Sequence, residues 1–210
     1  MKKRIICFGD SNTWGYCAAD GSRYDDDVRW PGKLQALLGG DYTVIEEAQN
    51  GRTTVWDDPV ENRLAGLTYL WPCMESHHPF DLLIIMLGTN DTKRHFGVRA
   101  KSIAESAGRL VDMAQKSDFG RGGRAPKVLL VAPIRIEYSD GFDYIFGEQA
   151  AEKSKGFSRA YREVAEKFGC HFLDAAEFAG PCPEDGVHMD GEGHGKLARA
   201  IYEKVKEILG

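Results

Sequence analysis

The chain is 210 residues long, 42% apolar and 28% charged, with a formal net charge of −5. That length suits one core of ordinary size, so a single domain is expected over residues 1–210. No apolar run approaches the roughly 18 residues that a membrane span needs, and no polybasic block is present to neutralise phosphates, which excludes a membrane-spanning protein and argues against nucleic acid or anionic lipid as partner.

The first element reads as a strand. Met1-Lys2-Lys3-Arg4 has the charge of a secretory leader, but the apolar run that follows stops after four residues at Gly9-Asp10, too short for the core of a signal peptide. Five cysteines, an odd number with no C-x-x-C pair, fit a reducing compartment, and cytoplasm is the expected location. Apolar runs of strand length then recur at 43–47, 82–87, 128–132 and 170–173. The runs at 82–87 and 128–132 are apolar throughout, as central strands covered on both faces are. Segments of helical period lie at 30–38, 102–115, 150–168 and 193–209, the last with Leu197, Ile201, Val205 and Ile208 on one face. The glycine-rich run 120–126 reads as a loop before a strand. Alternation of strand and helix predicts an α/β fold, a flavodoxin-like three-layer sandwich with a five-stranded parallel sheet and helices on both faces.

In such a sheet the ligand crevice lies beyond the carboxyl ends of the strands. After the first strand, Gly9-Asp10-Ser11-Asn12-Thr13-Trp14-Gly15 lifts a serine to the rim at the start of a helix, where it is placed as a nucleophile and its N–H can meet an oxyanion. After the second, Gly51 in Asn50-Gly51-Arg52-Thr53 lets a backbone N–H approach a ligand with no Cβ in the way. After the third, Asn90 in Gly88-Thr89-Asn90-Asp91 offers an amide donor. Ahead of the last helix, Asp185 precedes His188 by three residues, a spacing that lets the carboxylate accept the Nδ1 proton and leave Nε2 for the serine. Each string alone is also a good turn sequence. Their joint order, with a nucleophile and oxyanion donors after successive strands and a base before the last helix, is what points to acyl transfer. His194 lacks a carboxylate at matching spacing and reads as structural.

Together these residues resemble the SGNH, or GDSL, hydrolases, whose four named residues correspond to Ser11, Gly51, Asn90 and His188. The likeness runs the length of the chain. It is similar above all to the bacterial arylesterase and acyltransferase branch, through Cys7-Phe8-Gly9-Asp10-Ser11, Thr13-Trp14-Gly15, Arg52-Thr53-Thr54, Asp57-Asp58-Pro59, Ile84 through Lys93, and Asp185-Gly186-Val187-His188. Asn12 departs from the family leucine and is expected to modify the turn or pocket without removing activity.

The resemblance implies a serine esterase of short-chain aryl or alkyl esters. An acyl-enzyme would form on Ser11, with Asp185 and His188 completing the catalytic set and Ser11, Gly51 and Asn90 forming the oxyanion hole. Acyl transfer to alcohols or peroxide is a further implied activity. The resemblance also implies no metal or organic cofactor, a homo-oligomer with an octamer as one form, and an acyl pocket walled by Trp14, Ile145, Phe146 and Val187. The expected partner is a small-molecule ester. The same family contains lysophospholipases and thioesterases as an alternative. A flavin- or nucleotide-binding module of flavodoxin type is the alternative from another class, although neither Walker A spacing nor G-x-G-x-x-G is present. Cys73 with His77 and His78, and the run Asp25-Asp26-Asp27, lack standard zinc or calcium spacing.

Overall fold

The structure, a computed structural model, describes residues 1–139 and 145–210. Five strands, β1 (Lys3–Gly9), β2 (Tyr42–Ala48), β3 (Leu82–Met86), β4 (Lys127–Ala132) and β5 (His171–Asp174), form one parallel sheet in the order β2-β1-β3-β4-β5. This is the flavodoxin-like order, with its switch point between β1 and β3. The fully apolar runs β3 and β4 are interior strands, while β2 and β5 form the two edges and are only half buried.

Alternation along each strand divides the core in two. Ile6, Phe8, Leu83, Ile85 and Leu130 pack against α3 (Gly66–His77), α4 (Ala100–Gln115) and α6 (Phe157–Phe168). Ile5, Cys7, Leu82, Ile84 and Leu129 pack against α2 (Trp30–Leu38) and α7 (Gly191–Leu209), the latter through Leu197, Ile201, Val205 and Ile208. The short helices α1 (Ser11–Trp14) and α5 (Glu148–Ser154) complete the set that positions the site. No described helix is long and apolar enough to cross a membrane.

Two elements differ from the sequence expectation. The helical pattern at 150–168 is broken into α5 and α6 at Lys155-Gly156. Ser154 Oγ turns back to Ala151 O at 2.8 Å and accepts from Ile136 N at 3.0 Å, and Gly156 then caps α6. Helix α3 was not expected, because Pro72 lies inside it and Tyr69 and Trp71 are exposed, which blurs the apolar stripe.

Candidate active site

Register brings the site together. Gly9 of β1 is level with both Ala48 of β2 and Met86 of β3, so the loops that leave these strand ends meet in one crevice at the switch point. Ser11 lies two residues beyond its strand end, Gly51 three and Asn90 four. The turn into α1 is tight: a Cβ on Gly9 would collide with the Thr13 side chain. Asp10 caps α1, its Oδ1 accepting from Asn12 N at 3.0 Å.

From the opposite side, the segment ahead of α7 delivers His188. Its Nε2 lies 2.8 Å from Ser11 Oγ, and its Nδ1 lies 2.5 Å from Asp185 Oδ2. All three are buried, at 6%, 7% and 3% exposure for Ser11, His188 and Asp185. Burial alone would raise the Asp185 carboxyl. The hydrogen bond and charge of His188, with the N–H groups of His188 and Val187 at 2.9 and 2.8 Å, outweigh it and hold the group below the usual carboxylate range. A carboxylate fixed in that state accepts the Nδ1 proton and orients the imidazole.

The second and third strand-end loops are tied by buried polar side chains. Arg52 Nη1 donates to Gly9 O at 3.0 Å and Glu47 O at 2.7 Å, and its guanidinium lies over the Phe8 ring. Asp91 accepts from Thr54 N at 3.0 Å and Thr54 Oγ1 at 2.5 Å. Burial pushes its carboxyl up to about 6 against those hydrogen bonds. Asn90 Nδ2 donates to Arg52 O at 3.1 Å, which uses one of its two amide hydrogens. Gly51 has φ +79°, in the left-handed region, and a Cβ there would come within 3.0 Å of Glu61 Oε2. The structure thus brings Ser11, Gly51, Asn90, Asp185 and His188 into one site.

A cavity of about 500 Å³ opens over Ser11. Beside Ser11, Gly51, Asn90 and His188, its described lining combines apolar side chains, Tyr16, Val60, Ile145 and Phe146, with polar ones, Asn50, Glu61, Lys93 and His95. Ile145 and Phe146 both line this cavity. Trp14 and Val187 do not line this cavity. Trp14 has the Arg23 guanidinium over its ring at 5.1 Å, while Val187 packs with Ile136, Phe146 and Ala150. Tyr16 stands nearer the site, its ring centroid 4.5 Å from that of His188.

Residues 7–196 match the GDSL-like lipase/acylhydrolase family. The chain belongs to that family. It is similar to the native aryl esterase of M. smegmatis, with a TM-score of 0.92 and 39% identity over 98% of this chain and 99% of that one. Est24, a carbohydrate acetylesterase from Sinorhizobium meliloti, is similar to the same degree, with a TM-score of 0.92, 39% identity and coverage of 98% and 99%. Another carbohydrate acetylesterase family member from that organism reaches a TM-score of 0.94 at 34% identity, covering 99% of each chain. No curated protein matches the sequence at a significant level. The protein is a serine carboxylic ester hydrolase of the GDSL family, in its arylesterase branch.

The polar residues that line this GDSL esterase's cavity have no spacing of their own in the sequence. Lys93, 1% exposed, pairs with Asp58 at 3.1 Å and Glu61 at 2.7 Å, and His95 Nε2 lies 3.1 Å from Asp58. His194 is buried, its Nδ1 accepting from Trp30 N at 3.3 Å, and burial pushes it down to about 4; it links α7 to α2 as a neutral ring. Asp190 caps α7, accepting from Gly193 N at 2.7 Å.

Among the described residues one metal-like group converges, Glu47, Cys73 and His77, with ligand atoms within 4.8 Å of one another. It takes Glu47 in place of the neighbouring His78. His77 Nε2 already bonds Glu47 Oε1 at 2.6 Å, and burial, then the Glu47 charge, push the Cys73 thiol up to about 12. The nearby Arg52 cation acts on this group as well. A protonated thiol beside a fixed cation is a poor host for a divalent ion.

Proposed function

We propose that the esterase cleaves short-chain carboxylic esters through an acyl-enzyme on Ser11. The observation that carries this reading is the continuous hydrogen-bonded line from Ser11 Oγ to His188 Nε2 at 2.8 Å and from His188 Nδ1 to Asp185 Oδ2 at 2.5 Å, at the floor of the cavity. His188 takes the hydroxyl proton as Ser11 attacks the ester carbonyl and returns it to the departing alcohol. The oxyanion is received by the N–H groups of Ser11 and Gly51 and by the Asn90 side chain. Water, or an alcohol or peroxide acceptor, then releases the acyl group.

Ile145 and Phe146 limit the acyl chain in this reading. An apolar pocket gains about 1–3 kcal/mol for a methylene that it accepts and loses a similar amount when overfilled. The measurement is kcat/KM across acyl chains of two to twelve carbons, with the maximum expected at two to four. A maximum at eight or more would favour the lysophospholipase or thioesterase alternative.

A second reading concerns the alcohol. Asn50, Glu61, Lys93 and His95 line the cavity and offer polar groups suited to a hydroxyl-bearing leaving group. Acetylated sugars, the class named for Est24, fit those groups. Higher kcat/KM on an acetylated sugar than on an alkyl acetate of equal size supports this reading, and the reverse order opposes it.

A further inference from the structure

Asn12, next to Ser11, is 3% exposed, and its carboxamide reaches 175 residues along the chain. Its Nδ2 donates to Val187 O at 3.1 Å, and its Oδ1 accepts from Met189 N at 3.0 Å. These two backbone groups flank His188. The side chain thus bonds the backbone of 187–189 as a neighbouring peptide group would. Three further backbone groups there are also taken: Val187 N and His188 N by Asp185 Oδ1, and His188 O by Cys182 N at 2.6 Å. Buried backbone groups require such partners, and two of these five bonds come from the residue beside the nucleophile.

We propose that Asn12 is a positioning residue for catalysis: its carboxamide couples the Ser11 turn to the backbone on both sides of His188 and thereby sets the distance between hydroxyl and imidazole. This rests on the reading of Ser11 and His188 as the reacting pair. Asn12 touches no substrate in this role. It acts by removing the hinge between two segments that approach the site from opposite sides. A leucine in its place fills a similar volume but leaves Val187 O and Met189 N without these partners, so the base must be held by other means.

The test compares Asn12→Leu and Asn12→Asp with wild type on p-nitrophenyl acetate, with circular dichroism as the check on folding. Misplacing a catalytic group by about 1 Å costs up to about 10²-fold, so Asn12→Leu is expected to lower kcat by about 10- to 10²-fold while KM stays within about two-fold. Asn12→Asp supplies the sharper readout. Its protonated carboxyl has the same shape, one donor and one acceptor, and reproduces both bonds; the ionised form cannot donate to Val187 O. The ratio of variant to wild-type kcat is therefore expected to fall as pH rises, a trend that Asn12→Leu does not show. Titrations common to both proteins cancel in the ratio. A folded Asn12→Leu with wild-type kcat overturns the proposal, as does a pH-independent ratio near one for Asn12→Asp. If Asn12→Leu does not fold, the pH series on Asn12→Asp decides alone. Ser11→Ala run in parallel separates the two readings, since retained turnover there removes the catalytic reading itself.

Discussion

The two sides of the crevice are held by different forces. On the side of the strand ends, each loop is fixed by a buried polar side chain: Arg52 on Gly9 O and Glu47 O, Asp91 on Thr54, Asn90 on Arg52 O. On the acyl side, Phe146 belongs to a small apolar cluster with Ile136, Ala150 and Val187, separate from the two main cores. Hydrogen bonds fix direction as well as distance, whereas dispersion contacts fix mainly volume. The strand-end side accordingly suits the placement of donors around a reacting atom, and the acyl side suits the choice of what enters.

The comparison makes separable predictions, since damage to directional contacts should appear in kcat and damage to the apolar wall in selectivity. The largest effect is expected from Asp185→Asn, which keeps the shape but offers His188 the wrong hydrogen-bonding partner. Turnover should fall by up to about 10⁴, and activity within a few fold of wild type would move the orienting role away from Asp185. Next is Asn90→Ala, expected to lower kcat by about 10²–10³ with little change in KM, as for a donor used mainly in the transition state. A rise in KM at constant kcat would instead make Asn90 a substrate-binding group.

A third prediction concerns stability on the directional side. Burial raises the Asp10 carboxyl from the ordinary 3.8 to about 6, against its hydrogen bond from Asn12 N. The folded protein therefore holds that proton more tightly than the unfolded chain, and this group's contribution to stability is lost as pH rises from about 4 through about 6. Asp10→Asn keeps a cap acceptor and removes the ionisation. Its stability relative to wild type should increase across that window, by up to about 3 kcal/mol, and then level off. Urea unfolding at a series of pH values checks this, and a constant difference would contradict it. The smallest effect is expected from Phe146→Ala, which should shift the preferred acyl chain to greater length by about 1–3 kcal/mol in relative kcat/KM while kcat for acetate changes little. A fall in kcat for every chain length alike would erase the distinction between the two sides.

Legibility in the sequence follows the same division. The strand runs, the sheet order and the residues at the strand ends could be read because periodicity and strand-end position are properties of short segments. Ser11, Gly51 and Asn90 follow strand ends and Asp185 and His188 precede the last helix, so each can be picked out from its own short segment. The errors arose where a distant partner decides the outcome. The resemblance implies a pocket wall at Trp14, but the described lining lacks it and the Arg23 guanidinium lies over its ring. Pro72 hid α3, whose apolar residues become a coherent face only against the sheet. The role of Asn12 depends on a segment 175 residues away, which no local pattern records. The polar lining of Asn50, Glu61, Lys93 and His95 is assembled from three separate loop positions and has no spacing of its own.

The central claim is the acyl-enzyme on Ser11, and the most direct measurement is mass spectrometry of peptides from protein acid-quenched during turnover of p-nitrophenyl acetate. The account predicts one acetyl group on the peptide containing Ser11, and loss of both the adduct and turnover in folded Ser11→Ala. An acetyl group on a different residue, or undiminished turnover in Ser11→Ala, would contradict it.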